Sequence, residues 1–158
     1  MNKNYWTLIA PVIFLTLIYY LGGGIDNYFN LPKIPLNLNL IAYPLILIGI
    51  GIMFSVFYLF IEFGEGTPIP TQFTSKFATK KLVTNGVFKY SRNPFAIGMF
   101  MTFIGIGLYI QSYSLILFPI VISPFVHLFM MYIEEPDMER RFGKEYLEYK
   151  KRVPRWII

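Results

Sequence analysis

The chain has 158 residues, of which 55% are hydrophobic and 19% aromatic, with a mean hydropathy of +0.51 and a formal net charge of +5. A composition this apolar excludes an ordinary soluble domain. Cys is absent and His127 is the single histidine, which leaves no disulfide, thiolate metal site or histidine cluster. The basic residues flank apolar runs, so membrane topology accounts for the charge better than nucleic-acid binding does.

Tyr5 to Leu21 is apolar apart from Thr7 and Thr16, follows Lys3, and is long enough to span a bilayer with little tilt. A signal peptide starts in the same way, but its apolar region is shorter, and the spans that follow favour a retained first helix. Gly22 to Asn37 holds three Gly and two Pro with little charge. It reads as an external loop with an interfacial turn around Tyr28 and Phe29.

A second span follows from Leu38 to Phe63. Pro44 can kink it, and Gly49 and Gly51 allow another helix to approach closely. Gly-Ile-Gly here is no dinucleotide fingerprint, because neither a strand nor a polar loop surrounds it. Glu62 to Asn93 is the long polar connection, carrying Gly64, Gly66, Pro68 and Pro70 and then Lys76, Lys80, Lys81, Lys89 and Arg92.

The third span runs from Pro94 to Ile110, with Gly98, Thr102 and Gly105 on one small-residue face. Gln111 to Ser114 permits only a tight hairpin, so the fourth span, Leu115 to Ile133, is the expected neighbour of that face. Thirteen of the 14 Lys and Arg fall in the N-terminus, the second connection and the tail, and only Lys33 lies on the other side. The positive-inside rule then puts both termini and the long connection in the cytosol, with four spans.

The tail from Asp137 to Arg155 places Met138, Phe142, Tyr146, Tyr149 and Val153 at helical steps. Gly143 divides this helix, Glu148 and Arg152 sit at i and i+4, and Pro154 stops it. The resulting amphipathic helix lies at the interface or lids a site, and neither role excludes the other. The expected fold is thus an all-α integral membrane protein, a single domain over residues 1–158, with the cytosolic loop and this helix forming a site.

Two polar stretches carry the chemistry. Gly86 to Gly98 reads Gly-Val-Phe-Lys-Tyr-Ser-Arg-Asn-Pro-Phe-Ala-Ile-Gly, and Pro94 suits a first helical position. The free N–H groups of such a helix start, with Arg92 at its mouth, form a site for an anionic group. Glu134 to Trp156 is the partner stretch. Glu134 and Glu135 are acceptors there, or they mark the cytosolic end of a span.

Together with Gly64-Glu-Gly-Thr-Pro-Ile-Pro, Glu134-Glu-Pro and Phe142-Gly-Lys-Glu-Tyr-Leu-Glu-Tyr-Lys-Lys-Arg-Val-Pro-Arg-Trp, these stretches resemble the membrane-embedded methyltransferase superfamily. That superfamily includes isoprenylcysteine carboxyl methyltransferases and phospholipid N-methyltransferases. Its members commonly show Arg-His-Pro or Arg-Asn-Pro, an apolar residue, Tyr, another residue and Gly. In this chain Asn93 takes the place of His and Ala96 that of Tyr.

The resemblance implies an S-adenosylmethionine-dependent methyltransferase of a bacterial-type inner membrane, with the cofactor between the Arg92 to Gly98 turn and the Glu134-Glu135 pair. It implies a lipophilic small-molecule or lipid acceptor entering from the membrane; the residues themselves point to neither a nucleic-acid partner nor a metal. Glu134 and Glu135 can accept from the cofactor's ammonium or ribose hydroxyls, and Arg92, Asn93 and the Pro94 helix start can donate to its carboxylate. Phe88 and Tyr90 can wall its adenine or sulfonium. Gly98 belongs to the motif, Arg152 is a candidate for a carboxylate, and the roles in catalysis fall to Arg92, Glu135 and Arg152. His127 reads as a helix-packing hydrogen-bonder outside the site. A nicotinamide-dependent membrane reductase of sterol type and a non-catalytic protein on the same scaffold are the competing readings.

Overall fold

The computed structural model describes residues 9–34, 38–65 and 79–157. The start of the first expected span, the Gly66 to Pro70 part of the glycine and proline motif, and Lys3 and Lys76 lie outside them. Among the described residues every regular element is helical. In chain order these are α1 (Ile9–Tyr28), α2 (Asn39–Glu62), a short 3-10 turn (Gly86–Lys89), α3 (Pro94–Ile110), α4 (Tyr113–Phe129), one π-helical turn (Met130–Glu134) and α5 (Glu135–Arg152).

Two of these helices are long and apolar enough to cross a membrane: Asn39–Glu62, and the 40-residue run Tyr113–Arg152 made up of α4, the π turn and α5. Pro94–Ile110 is apolar but shorter. The apolar part of the 40-residue run ends at Ile133, where the acidic residues begin. Large apolar side chains face outward along these helices, among them Leu40, Leu47, Ile120 and Phe125. Such a surface is unfavourable in water and at home in hydrocarbon.

The described residues form two compact units, Met1–Met53 with Ile97–Ser123, and Phe54–Ala96 with Pro124–Ile158. In the first unit Ile18, Phe103, Ile106 and Leu115 make the buried core. The small-residue face of α3 meets α2 there. A Cβ on Gly98 would stand 2.7 Å from the Gly49 carbonyl, and one on Gly105 would stand 2.7 Å from Ile46. That corrects the expectation that this face packs on the fourth span. The tight turn at Gln111 turns a different residue, Gly107, toward Leu115 and Ile116.

The glycine triplet does not open a loop either, because α1 runs on through it to Tyr28. Packing overrides the glycine cost. Gly22 leaves room for the Leu115 side chain, and Asp26, buried, accepts the Ser114 N–H at 3.1 Å while Ser114 Oγ donates to the Gly22 carbonyl at 3.2 Å. A carboxylate against the first turn of α4 is favoured by that helix's dipole.

The second unit is built on the apolar face of α5. Tyr146, Tyr149 and Val153 are buried against Val56, Leu59, Phe60, Val83 and Phe88, with Met138 and Phe142 packed beside them. The helical spacing read from the tail therefore identifies the buried face correctly. Gly143 breaks α5 with φ 52° and ψ −125°, a backbone shape that favours glycine, and the helix ends at Arg152 with Val153 extended before Pro154.

Candidate functional site

The start of α3 is closed by its own preceding residues. Ser91, buried, accepts the Asn93 N–H at 3.0 Å, and Asn93 Oδ1 accepts the Ala96 N–H at 3.4 Å, as an N-cap does. Pro94 follows as the first helical residue. Asn93 and Pro94 thus build the turn, and part of the donor capacity expected to face an anion is already used within it.

The turn is fastened from the far end of the second unit. Residues 153–156 leave α5 as a non-helical strap whose successive carbonyls accept from Ser91 and Arg92. Arg92 Nε donates to the Val153 carbonyl at 3.0 Å, the Arg92 N–H to the Pro154 carbonyl at 2.9 Å, and Ser91 Oγ to the Arg155 carbonyl at 2.9 Å.

Arg92 then reaches Glu135. Its Nη1 lies 2.8 Å from Glu135 Oε1 and 3.4 Å from the Tyr146 hydroxyl. Glu135 takes two further cations, Lys150 Nζ on Oε2 at 2.9 Å and Arg155 Nε on Oε1. Burial alone would raise its pKa, but the bonds from Arg155, Lys150 and Arg92 outweigh that and hold it at about 2. Lys150 also pairs with Glu139 at 2.8 Å.

Glu134, one residue earlier, has no hydrogen bond or ion pair among the described residues. It lines a cleft with Arg92, Lys81 and Thr79 as the other polar groups and Phe60, Phe88, Met130, Met138, Phe142, Tyr146 and Tyr149 among the apolar ones. Loss of water around it, with the negative charges of Glu135 and Asp137 nearby, lifts its pKa to about 7. A helical step of 100° separates the two carboxylates, so one turns into the cationic hub and the other into the cleft.

The cleft walls are held as firmly as its charges. Phe88 packs edge-on to Phe60 with centroids 5.2 Å apart, and its carbonyl accepts from the Tyr149 hydroxyl at 2.7 Å. Arg141 pairs with buried Asp137 at 3.3 Å and donates to both the carbonyl and Oγ1 of Thr79, the latter at 2.9 Å, which ties the loop wall to α5.

Of the residues singled out in the sequence, Arg92, Phe88 and Glu134 line the cleft and Glu135 lies directly behind Arg92. Tyr90 is 71% exposed and is not among the lining residues. Arg152 is exposed and donates to the Glu148 carbonyl at 3.4 Å, so it neither forms the expected carboxylate pair with Glu148 nor lines the cleft. Gly98 belongs to the first unit, where it serves the contact between α3 and α2. Ala96 is buried and is not among the lining residues.

Sequence reasoning missed Tyr146 as a cleft residue, the cationic partners Lys150 and Arg155, and the pairing of His127 with the strap. Tyr146, Lys150 and Arg155 all stand inside the Phe142 to Trp156 motif, which was the available sign. Among the described residues no three His, Asp or Glu side chains converge as a metal site.

Chemically, the cleft offers a carboxylate and a guanidinium Nη2 that have no partner among the described residues, and aromatic and thioether walls. That set suits a molecule with both a cationic and an anionic end and an apolar or aromatic body. A family model described as phospholipid methyltransferase matches residues 38–145. No curated protein matches the chain.

Proposed function

Because the chain belongs to the phospholipid methyltransferase family, we propose that it is a membrane enzyme that transfers a methyl group from S-adenosylmethionine to a lipophilic acceptor at the cytosolic face. Methyl transfer is the chemistry of the family, which favours it over nicotinamide-dependent reduction. The observation that carries the cofactor assignment is Glu134, a carboxylate without a partner among the described residues, facing an aromatic cleft beside Arg92.

When bound, S-adenosylmethionine supplies an electrophilic methyl group on a sulfonium sulfur. Glu134 is the residue for the cofactor's ammonium or ribose hydroxyls, and Arg92, through Nη2, for its carboxylate. Phe88 and Tyr146 provide aromatic surface for the sulfonium or adenine. Glu135 does not contact the cofactor in this reading; it holds Arg92 in place. An in-line displacement needs alignment and exclusion of water more than a nucleophilic triad, and the aromatic and methionine side chains of the cleft serve both.

We read the whole chain as one membrane-embedded domain of four spans, with both polar stretches on the cytosolic side. The distribution of Lys and Arg supports that layout. The acceptor, whether a carboxylate, an amine or a related group on a lipid, enters from the bilayer.

Isothermal titration of the purified full chain with S-adenosylmethionine and with NADPH tests the reading. Saturable heat with the first and none with the second is expected, followed by methyl transfer to one of a panel of lipophilic carboxylates, amines and thiols. Heat with NADPH alone would overturn it.

A further inference from the structure

The strap that fastens Arg92 has no helix to hold it, since α5 ends at Arg152. A segment of this kind frays unless side chains pin it. Val153 is buried, and the remaining anchors are Arg155 and Trp156. Trp156 Nε1 donates to Nδ1 of His127 at 3.1 Å, and the two rings stack with centroids 6.3 Å apart at 19°. Arg155 Nη1 stands 3.2 Å from Nε2 of the same imidazole.

Arginine and tryptophan only donate, and a neutral imidazole has a single nitrogen that accepts. His127 therefore satisfies one of its two neighbours at a time. With the proton on Nε2, Nδ1 takes the indole, and Arg155 is left to Glu135 alone. With the proton on Nδ1, the indole bond is lost and Arg155 is shared between His127 and Glu135. The first arrangement closes the strap and gives Glu135 the full charge of Arg155; the second does neither.

We propose that Trp156 and His127 form a latch on the C-terminal strap, and that through this latch His127 acts as a positioning residue for the Arg92 guanidinium at the cleft. The chain of bonds is continuous: His127 to Trp156, the strap backbone from 156 to 153, and its carbonyls to Ser91 and Arg92. The consequence for cofactor affinity rests on the function proposed above, while the latch itself does not.

The test uses the full chain with Trp6→Phe, so that Trp156 is the only indole. His127→Phe keeps a ring to stack and removes both ring nitrogens, whereas His127→Asn keeps an acceptor near the place of Nδ1. Acrylamide quenching of Trp156 should rise about threefold in His127→Phe and stay near wild type in His127→Asn. Affinity for S-adenosylmethionine should fall about tenfold in the first and less than about twofold in the second. Coupling is reciprocal, so Arg92→Lys should also raise Trp156 quenching.

A His127 that merely packs its helix predicts equal effects of the two variants. The proposal fails if Trp156 stays shielded in His127→Phe, if Asn fails to rescue, or if Arg92→Lys leaves the indole unchanged. A wild-type protein that binds no S-adenosylmethionine would sink the proposed function, and the quenching of the three variants would still decide the latch.

Discussion

Glu134 and Glu135 are adjacent in the chain and opposite in circumstance: Glu135 is surrounded by Arg92, Lys150 and Arg155, and Glu134 has no such partner among the described residues. Their substitution should therefore separate binding from stability. Glu134→Gln is expected to weaken S-adenosylmethionine by about 2–3 kcal/mol, a charge-assisted bond in a partly dry site, without lowering the unfolding midpoint, because Gln spares the folded chain the ionisation of a desolvated carboxyl as pH rises through 7. Glu135→Gln leaves buried cations without their anion and should cost about 3 kcal/mol of folding stability. Calorimetry and thermal unfolding on both variants make the comparison, and identical profiles would refute the division.

The same pair gives opposite responses to pH. Glu134 titrates at about 7 in the folded chain against an ordinary 4.5. Its contribution to stability is full below its unfolded value and is lost as pH rises through 7. Glu135, held at about 2, contributes stability above 4.5 that is lost as pH falls toward 2. Cofactor binding should tighten as pH rises toward about 8, because the cationic end binds the ionised Glu134. Titrations in buffers of different ionisation heat should report proton release below 7, and Glu134→Gln should abolish it. Affinity independent of pH in the wild type would remove Glu134 from the cofactor.

Topology is open to a direct test because the chain contains no Cys. Lys33 and Lys80 are both exposed, and the proposed layout puts them across the bilayer from each other. Lys33→Cys and Lys80→Cys should label from opposite sides with a membrane-impermeant maleimide. Labelling of both from one side would end the four-span arrangement.

Ala96 stands where the family pattern has Tyr, and its burial changes what a substitution should do. At 3% exposure and outside the cleft lining, it is enclosed by neighbours that a phenol would have to displace. Ala96→Tyr should overpack its surroundings and cost about 1–3 kcal/mol in denaturant unfolding, with cofactor affinity unchanged in the folded fraction. Tighter binding in that variant would place position 96 at the site after all.

The apolar runs made α2, α3 and the helix through α4 legible, because length and hydropathy alone define such elements. The buried face of α5 was legible for the same kind of reason, since Met138, Phe142, Tyr146, Tyr149 and Val153 recur at helical steps. The end of α1 was not. Three successive glycines are a sound local sign of a break, and only contacts 88 to 92 residues away in sequence, from Ser114 to Asp26 and Gly22, turn them into helix.

At the site, residue types pointed to the right stretches but not to the right partners. Arg152 and Arg155 are three residues apart, and nothing local distinguishes the exposed one from the one that binds Glu135. The direction of a side chain after a helix end depends on what the chain meets there. His127 was read as a hydrogen-bonder, which it is, but its partners come from the strap.

Arg92 and the Val153 carbonyl that receives its Nε are 61 residues apart. At a synthesis rate of roughly 5–20 residues per second, the ribosome reaches that carbonyl about 3–12 s after making the arginine. Glu135 is made within that interval, Tyr146 near its end, 54 residues after Arg92, and the strap last, while α3 and α4 are already complete. Assembly of this corner thus follows biosynthetic order, with Arg92 waiting for every group that holds it.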